Sequence, residues 1–276
     1  MNQTYNIAIL DFYNGYPNEG MRCIKSLINS SFSELGINGQ FEVFDIRGNA
    51  EIPKIEKFDA FISTGGPGSP ILENAEWEKS FGQFLDDLIA YNKENDLKKH
   101  LLLICHSYQF MVQYFHLGVV CKRMSTSFGV MTVHKTEAGS KDPLFDKLED
   151  RFWAVDSRDY QVIQPNEDYL NKLGAKILFL EKIRPHIPLE RAVMGIRLTD
   201  EILGLQFHPE ADSEGMSRYF LQEDKRMAVI AEHGEEKLET MLEQLEDEDK
   251  IKLTESVIIP GFLKNAIQSV QSAAIC

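Results

Sequence analysis

The sequence predicts an α/β fold with a mostly parallel sheet and helices on both faces over residues 1–212. An acidic helical extension is expected over residues 213–276. Three observations carry this reading. Short apolar runs alternate with amphipathic stretches from Tyr5 to about Asp212, the pattern of strands laid side by side between helical layers. At each junction the apolar residues change from continuous runs to separations of three and four. Beyond that point the composition turns acidic: residues 223–250 hold eleven acidic and four basic residues, half of the net charge of −14.

The elements follow in order. Asn6 to Leu10 reads as a strand, and Met21, Ile24, Leu27 and Ile28 mark the helix after it. Phe41 to Ile46 and Phe58 to Ser63 read as further strands. After the turn STGGPGSP comes a helix whose apolar face is Trp77, Phe81, Phe84, Leu85 and Leu88. The branched run Leu101 to Ile104 is a buried strand, and Phe110, Met111, Tyr114 and Phe115 resume with helical spacing. From Gly129 shorter strands are expected at Val130 to Val133, Phe152 to Val155, Lys176 to Leu180, Ala192 to Arg197 and Ile202 to Phe207. In the extension, Leu238, Met241, Leu242 and Leu245 form a helical stripe, read either as a solvated helix docked by one face or as an acidic patch that receives a partner. Pro260 and Gly261 are expected to break the chain before a last helix around Leu263, Ala266, Ile267 and Val270.

Composition excludes several classes. A chain of 276 residues with 43% hydrophobic and 26% charged residues reads as soluble and globular. Cys23, Cys105, Cys121 and Cys276 form no CxxC pair and no metal-ligand spacing, so neither a metal site nor a disulfide framework is expected, and the compartment reads as reducing and cytoplasmic. The start MNQTYNIAIL lacks a leader pattern, and no uncharged apolar run is long enough to span a membrane. With 29 basic residues against 43 acidic ones, unspecific nucleic-acid binding is not expected.

Three stretches carry candidate chemistry. In LLLICHSYQF the period switches from strand to helix across Cys105. Such a cysteine is either a small buried filler or a nucleophile on a sharp turn, where the helix N-terminus stabilises a thiolate. In GLQFHPEAD an apolar strand ends in His208-Pro209-Glu210. That histidine is either structural or a base held in orientation by the carboxylate. Gly65-Gly66-Pro67-Gly68-Ser69 follows a strand directly; it is either a plain turn or a source of backbone N–H donors for an oxyanion. It has neither the spacing of a dinucleotide loop nor the ending of a phosphate loop.

Together these residues resemble the class I, triad-type glutamine amidotransferases, over roughly Tyr5 to Asp212. The glutaminase portion of GMP synthase is the nearest likeness. The family motif Gly-x-Cys-x-Gly-x-Gln maps onto Cys105 and Gln109, its Gly-Gly-Pro-Gly turn onto Gly65 to Gly68, and its distal His-Pro-Glu onto His208 and Glu210. Asp142 to Phe145 and Ser157 to Val162 also look like the family's middle region. The resemblance implies a flavodoxin-like core and a catalytic set of Cys105, His208 and Glu210. It places the oxyanion hole at the N–H groups of Gly66 and His106, and substrate contacts at Gly68 and Gln109. Glutamine is the implied substrate, hydrolysed through a γ-glutamyl thioester with no metal or organic cofactor. With no second catalytic domain in the sequence, the ammonia acceptor is expected on a separate synthetase or acceptor-binding protein. A γ-glutamyl hydrolase of the same fold and a catalytically weak regulatory relative are the alternatives. Leu103 and Ser107 stand where the family has its elbow glycines. Serine is small enough for that position, while leucine calls for an altered turn or a compensating gap nearby.

Overall fold

The computed structural model describes residues 4–186 and 189–273. The chain opens with β1 (Thr4–Asp11), α1 (Glu19–Glu34), β2 (Asn38–Asp45) and the single turn α2 (Ile46–Asn49). Then come β3 (Ala60–Ser63), α3 (Glu76–Glu94), β4 (His100–Ile104) and α4 (His106–Tyr114). A long ribbon follows, β5 (Val119–Lys135) and β6 (Arg151–Ile163), with α5 (Glu137–Ser140) between its arms. After α6 (Glu167–Leu173) the sheet is completed by β7 (Lys176–Glu181), β8 (Val193–Arg197) and β9 (Ile202–Leu205). Four helices end the described chain: α7 (Ser213–Leu221), α8 (Glu223–His233), α9 (Glu235–Glu246) and α10 (Leu253–Ala273).

The strands form one sheet in the order β2-β1-β3-β4-β9-β8-β7-β5-β6. Those from β2 to β9 in that order run parallel, and the remaining pairs are antiparallel. The alternation of side chains along each parallel strand divides the core in two. Ile7, Ile9, Ile62, Leu102 and Ile104 face α1 and α10 in one apolar cluster. Ala8, Leu10, Phe61, Leu101 and Leu103 face α3 and α4 in the other. A sheet buried on both faces is why these strands read as continuous apolar runs.

The ribbon extends far beyond the apolar segments Val130 to Val133 and Phe152 to Val155. Its middle stretch, with Lys122, Arg123, Ser125 and Thr126, is polar and carries a register shift between Lys122 and Ser127. No apolar run announces that stretch. A third cluster, including Val130, Val155, Phe220, Leu238, Met241 and Leu245, seats α7 to α9 on this ribbon.

The break expected at Pro260 is absent: α10 runs unbroken through it. An interior proline costs about 3 kcal/mol. Here the residues on both sides, Val257, Ile258 and Ile259 before and Phe262, Leu263 and Ile267 after, are buried in the same cluster. Each such side chain contributes roughly 1.5–3 kcal/mol on burial, so tertiary packing outweighs the local penalty. α7 is tied to α1 by charge: Arg22 bridges both carboxylate oxygens of Asp212, the N-cap of α7, at 2.7 and 2.6 Å.

Candidate active site

Cys105 sits between the C-terminal end of β4 and the start of α4, with φ 51° and ψ −98°. A non-glycine residue in that region carries about 1–3 kcal/mol of strain and persists only where its neighbours impose it. Here the neighbours are identifiable. Cys105 N donates to Leu205 O at 2.7 Å, and Gln109 N to Cys105 O at 3.0 Å, so strand and helix each hold one side of the peptide. Ser107 Oγ accepts from Ile104 N at 3.0 Å and lies 3.1 Å from both Ser63 O and Ile104 O. On the adjacent strand Gly204 is the register partner of Leu103. Tyr108 Cδ2 lies 2.6 Å from the point a Cβ on residue 204 would occupy, so the missing side chain gives the helix room.

His208 follows β9 and is fixed by a main-chain bond to β6, from its N–H to Val155 O at 2.8 Å. Its Nδ1 meets Glu210 Oε1 at 2.8 Å, and its Cε1 and the Cys105 Cβ lie 2.9 and 3.4 Å from one point beside Gly65, so the ring sits next to the cysteine. Glu210 is 1% exposed, and its Oε2 has no partner. Burial opposes a charge on His208, but the Glu210 carboxylate and the Cys105 sulfur outweigh it, and the imidazolium is favoured well above its ordinary range.

The glycine turn lies directly over this pair. A Cβ on Gly65 would fall 2.9 Å from His208 Cε1 and 3.4 Å from Cys105 Cβ, and one on Gly66 would fall 2.3 Å from Phe12 O. Both positions require the absence of a side chain. Two cationic or ring contacts pin the turn. Arg47 Nη1 donates to Pro67 O at 2.7 Å and to Phe12 O at 3.2 Å. His106 Nδ1 lies 3.3 Å from Gly66 O, so this nitrogen carries the proton and donates. Burial, with the nearby Arg47 charge, lowers the His106 pKa to about 4, which keeps the ring neutral.

Gly66, Gly68, Cys105, His106, Gln109, His208 and Glu210 all line one cavity of about 830 Å³. Every site residue named from the sequence is therefore brought to one place. Gln109 differs in detail: its Nε2 donates at 2.9 Å to Oε1 of Gln206, which does not line the cavity. Two further residues of the site, Arg47 and Gln206, carry no signal in the sequence. Arg47 lies in a short helical turn with no motif around it. Gln206 stands inside QFHPE but reads as one more strand residue. Among the described residues no His, Cys, Asp and Glu cluster could hold a metal ion, and no helix is long and apolar enough to cross a membrane. Cys276 lies outside the described residues, and Cys23, Cys105 and Cys121 are free thiols.

The family model for glutamine amidotransferase class-I matches residues 21–227, well over half of the chain. The chain belongs to the class-I glutamine amidotransferases. Solved structures agree on the fold of this amidotransferase. A glutamine amidotransferase from Thermotoga maritima superposes with a TM-score of 0.65 at 16% identity, covering 95% of this chain and 98% of that one. A putative GMP synthase subunit from Thermoplasma acidophilum gives a TM-score of 0.52 at 18% identity, covering 86% and 99%. The glutaminase domain of Trypanosoma brucei CTPS with bound acivicin gives 0.57 at 14% identity, covering 96% and 94%. No curated protein matches the amidotransferase's sequence.

Proposed function

We propose that this amidotransferase hydrolyses the side-chain amide of glutamine through a γ-glutamyl thioester on Cys105. The observation that carries the reading is the place of His208, beside Cys105 under the Gly65 turn and bonded to Glu210 through Nδ1. Glu210 accepts the Nδ1 proton and fixes the tautomer, so the other ring nitrogen serves the sulfur. His208 takes the Cys105 proton, the thiolate attacks the amide carbon, and the same proton leaves with ammonia. Water, deprotonated by His208, then cleaves the thioester to glutamate and restores the thiol. The main-chain N–H groups of Gly66 and His106 hold the oxyanion in both steps, with Gly68 and Gln109 on the substrate side. The reaction balances with water alone, so it calls for no cofactor.

Ammonia is useful only where an acceptor is activated, and we assign that task to a separate protein in the cytoplasm, where Cys23, Cys105 and Cys121 stay reduced. One observation favours a second reading, the γ-glutamyl hydrolase. A cavity of about 830 Å³ lies in the range that encloses drug-sized ligands, more than a free amino acid fills. The two readings separate in one assay of the purified chain. Ammonia release from glutamine, abolished by Cys105→Ala and raised by cell extract, supports the coupled amidotransferase. Faster cleavage of γ-glutamyl peptides than of glutamine, unchanged by extract, supports the hydrolase. Loss of neither activity in Cys105→Ala contradicts both.

A further inference from the structure

Gln206 is fully buried on the strand end between Leu205 and Phe207. Its neighbours point into the core on the side of α1 and α10. Gln206 therefore faces the opposite side, toward α4. Its Nε2 lies 3.7 Å from Cys105 Sγ, within reach of a hydrogen bond to sulfur. A primary amide is a costly group to bury unless both its ends are satisfied. Here they are, by Gln109 at the oxygen and by Cys105 at the nitrogen.

We propose that Gln206 is a catalytic residue of this amidotransferase: its Nε2–H donates to Cys105 Sγ and stabilises the thiolate, in an orientation that Gln109 enforces. The inference rests on Cys105 being the nucleophile. Gln109 Nε2–H occupies the Gln206 oxygen, so the end presented to sulfur is a donor. The reverse orientation would aim carbonyl lone pairs at a negative sulfur.

A main-chain carbonyl also approaches the nucleophile: Ser157 O lies 3.9 Å from Cys105 Sγ. A carbonyl there can accept only from the protonated thiol and disfavours the thiolate. Gln206 offsets it, and the amide needs no reorganisation when the proton passes to His208. This also gives Gln109 a task beyond touching substrate. It is the positioning residue for Gln206.

The test is the pH dependence of Cys105 alkylation by iodoacetamide, read by peptide mass spectrometry on the full chain, in the wild type, Gln206→Leu and Gln109→Leu. A hydrogen bond to a charged group is strong enough to move a titration by about one unit. Gln206→Leu should therefore shift the midpoint for Cys105 upward by about one unit, cutting its rate about tenfold at pH values below the wild-type midpoint. Gln109→Leu, which does not touch the sulfur, should shift it in the same direction by less. Should Gln206→Leu fail to fold, the Gln109→Leu shift decides alone. Wild-type midpoints in both variants overturn the role of Gln206. A wild-type Cys105 that resists alkylation at every pH overturns the nucleophile itself, and this inference with it.

Discussion

Ser107 Oγ lies 3.1 Å from Ser63 O and accepts a hydrogen bond from Ile104 N, so one hydroxyl fastens the end of β3 to the turn that carries Cys105. The serine thus supplies a tether where the family's glycine supplies only space. Ser107→Ala should remove it and leave Ile104 N–H without that acceptor in a fully buried place. Such a loss costs about 1–3 kcal/mol. The urea midpoint should fall accordingly, and an unchanged midpoint would show that the tether adds nothing.

Gly65 separates Cys105 from His208 on one side and the glycine turn on the other. A methyl there would fall 2.9 Å from His208 Cε1, so the ring must retreat from the sulfur. Misplacement by about 1 Å costs on the order of 10²-fold in rate. Gly65→Ala should lose about that much turnover number while keeping most of its stability. Steady-state kinetics alongside thermal melting checks this; turnover within a few-fold of wild type would contradict the tight fit.

Glu210 acts through His208. Burial opposes the imidazolium, and the carboxylate is foremost among the groups that favour it. Glu210→Gln removes that charge, so the His208 pKa should drop and less thiolate should form. General acid–base contributions of about 10²–10⁴-fold set the expected loss. The rate should fall by at least the lower figure, and the His208 ring signals in NMR should titrate at lower pH than in the wild type. A titration left where it was would remove the orienting carboxylate from the mechanism.

His106 gives a pH signature of folding. Its pKa in the folded chain is about 4 against an ordinary value of 6.5, chiefly through burial. Between these values the unfolded chain binds the proton and the folded chain does not. Stability is therefore full above pH 6.5, falls as pH drops toward 4, and levels off below. At ~1.4 kcal/mol per pH unit the whole window amounts to roughly 3 kcal/mol. Urea unfolding of the wild type and His106→Asn between pH 8 and pH 4 should show a difference of that sign and size. Equal slopes would contradict the neutral, buried imidazole.

Where a residue's position follows from local pattern, the sequence revealed it. The period change at Cys105, the HPE ending of β9 and the glycines after β3 each mark a strand end, and the parallel sheet brings those ends to one edge. What stayed hidden depends on neighbours distant in sequence. The middle stretch of the ribbon is polar, with Thr126 beside the cavity, so it carries no apolar run. Pro260 reads as a breaker because the burial on both sides of it is a property of the assembled core. Gln206 becomes informative only when Gln109, on another element, is seen to hold its oxygen.

The most direct test of the account is a rapid acid quench of the amidotransferase turning over glutamine, followed by mass spectrometry of its cysteine peptides. The account predicts a γ-glutamyl adduct on Cys105 alone, absent from Cys105→Ala, with Cys23 bare because burial pushes its thiol up to about 12. Turnover of glutamine with no adduct on Cys105, or with the adduct on Cys23 or Cys121, would contradict it.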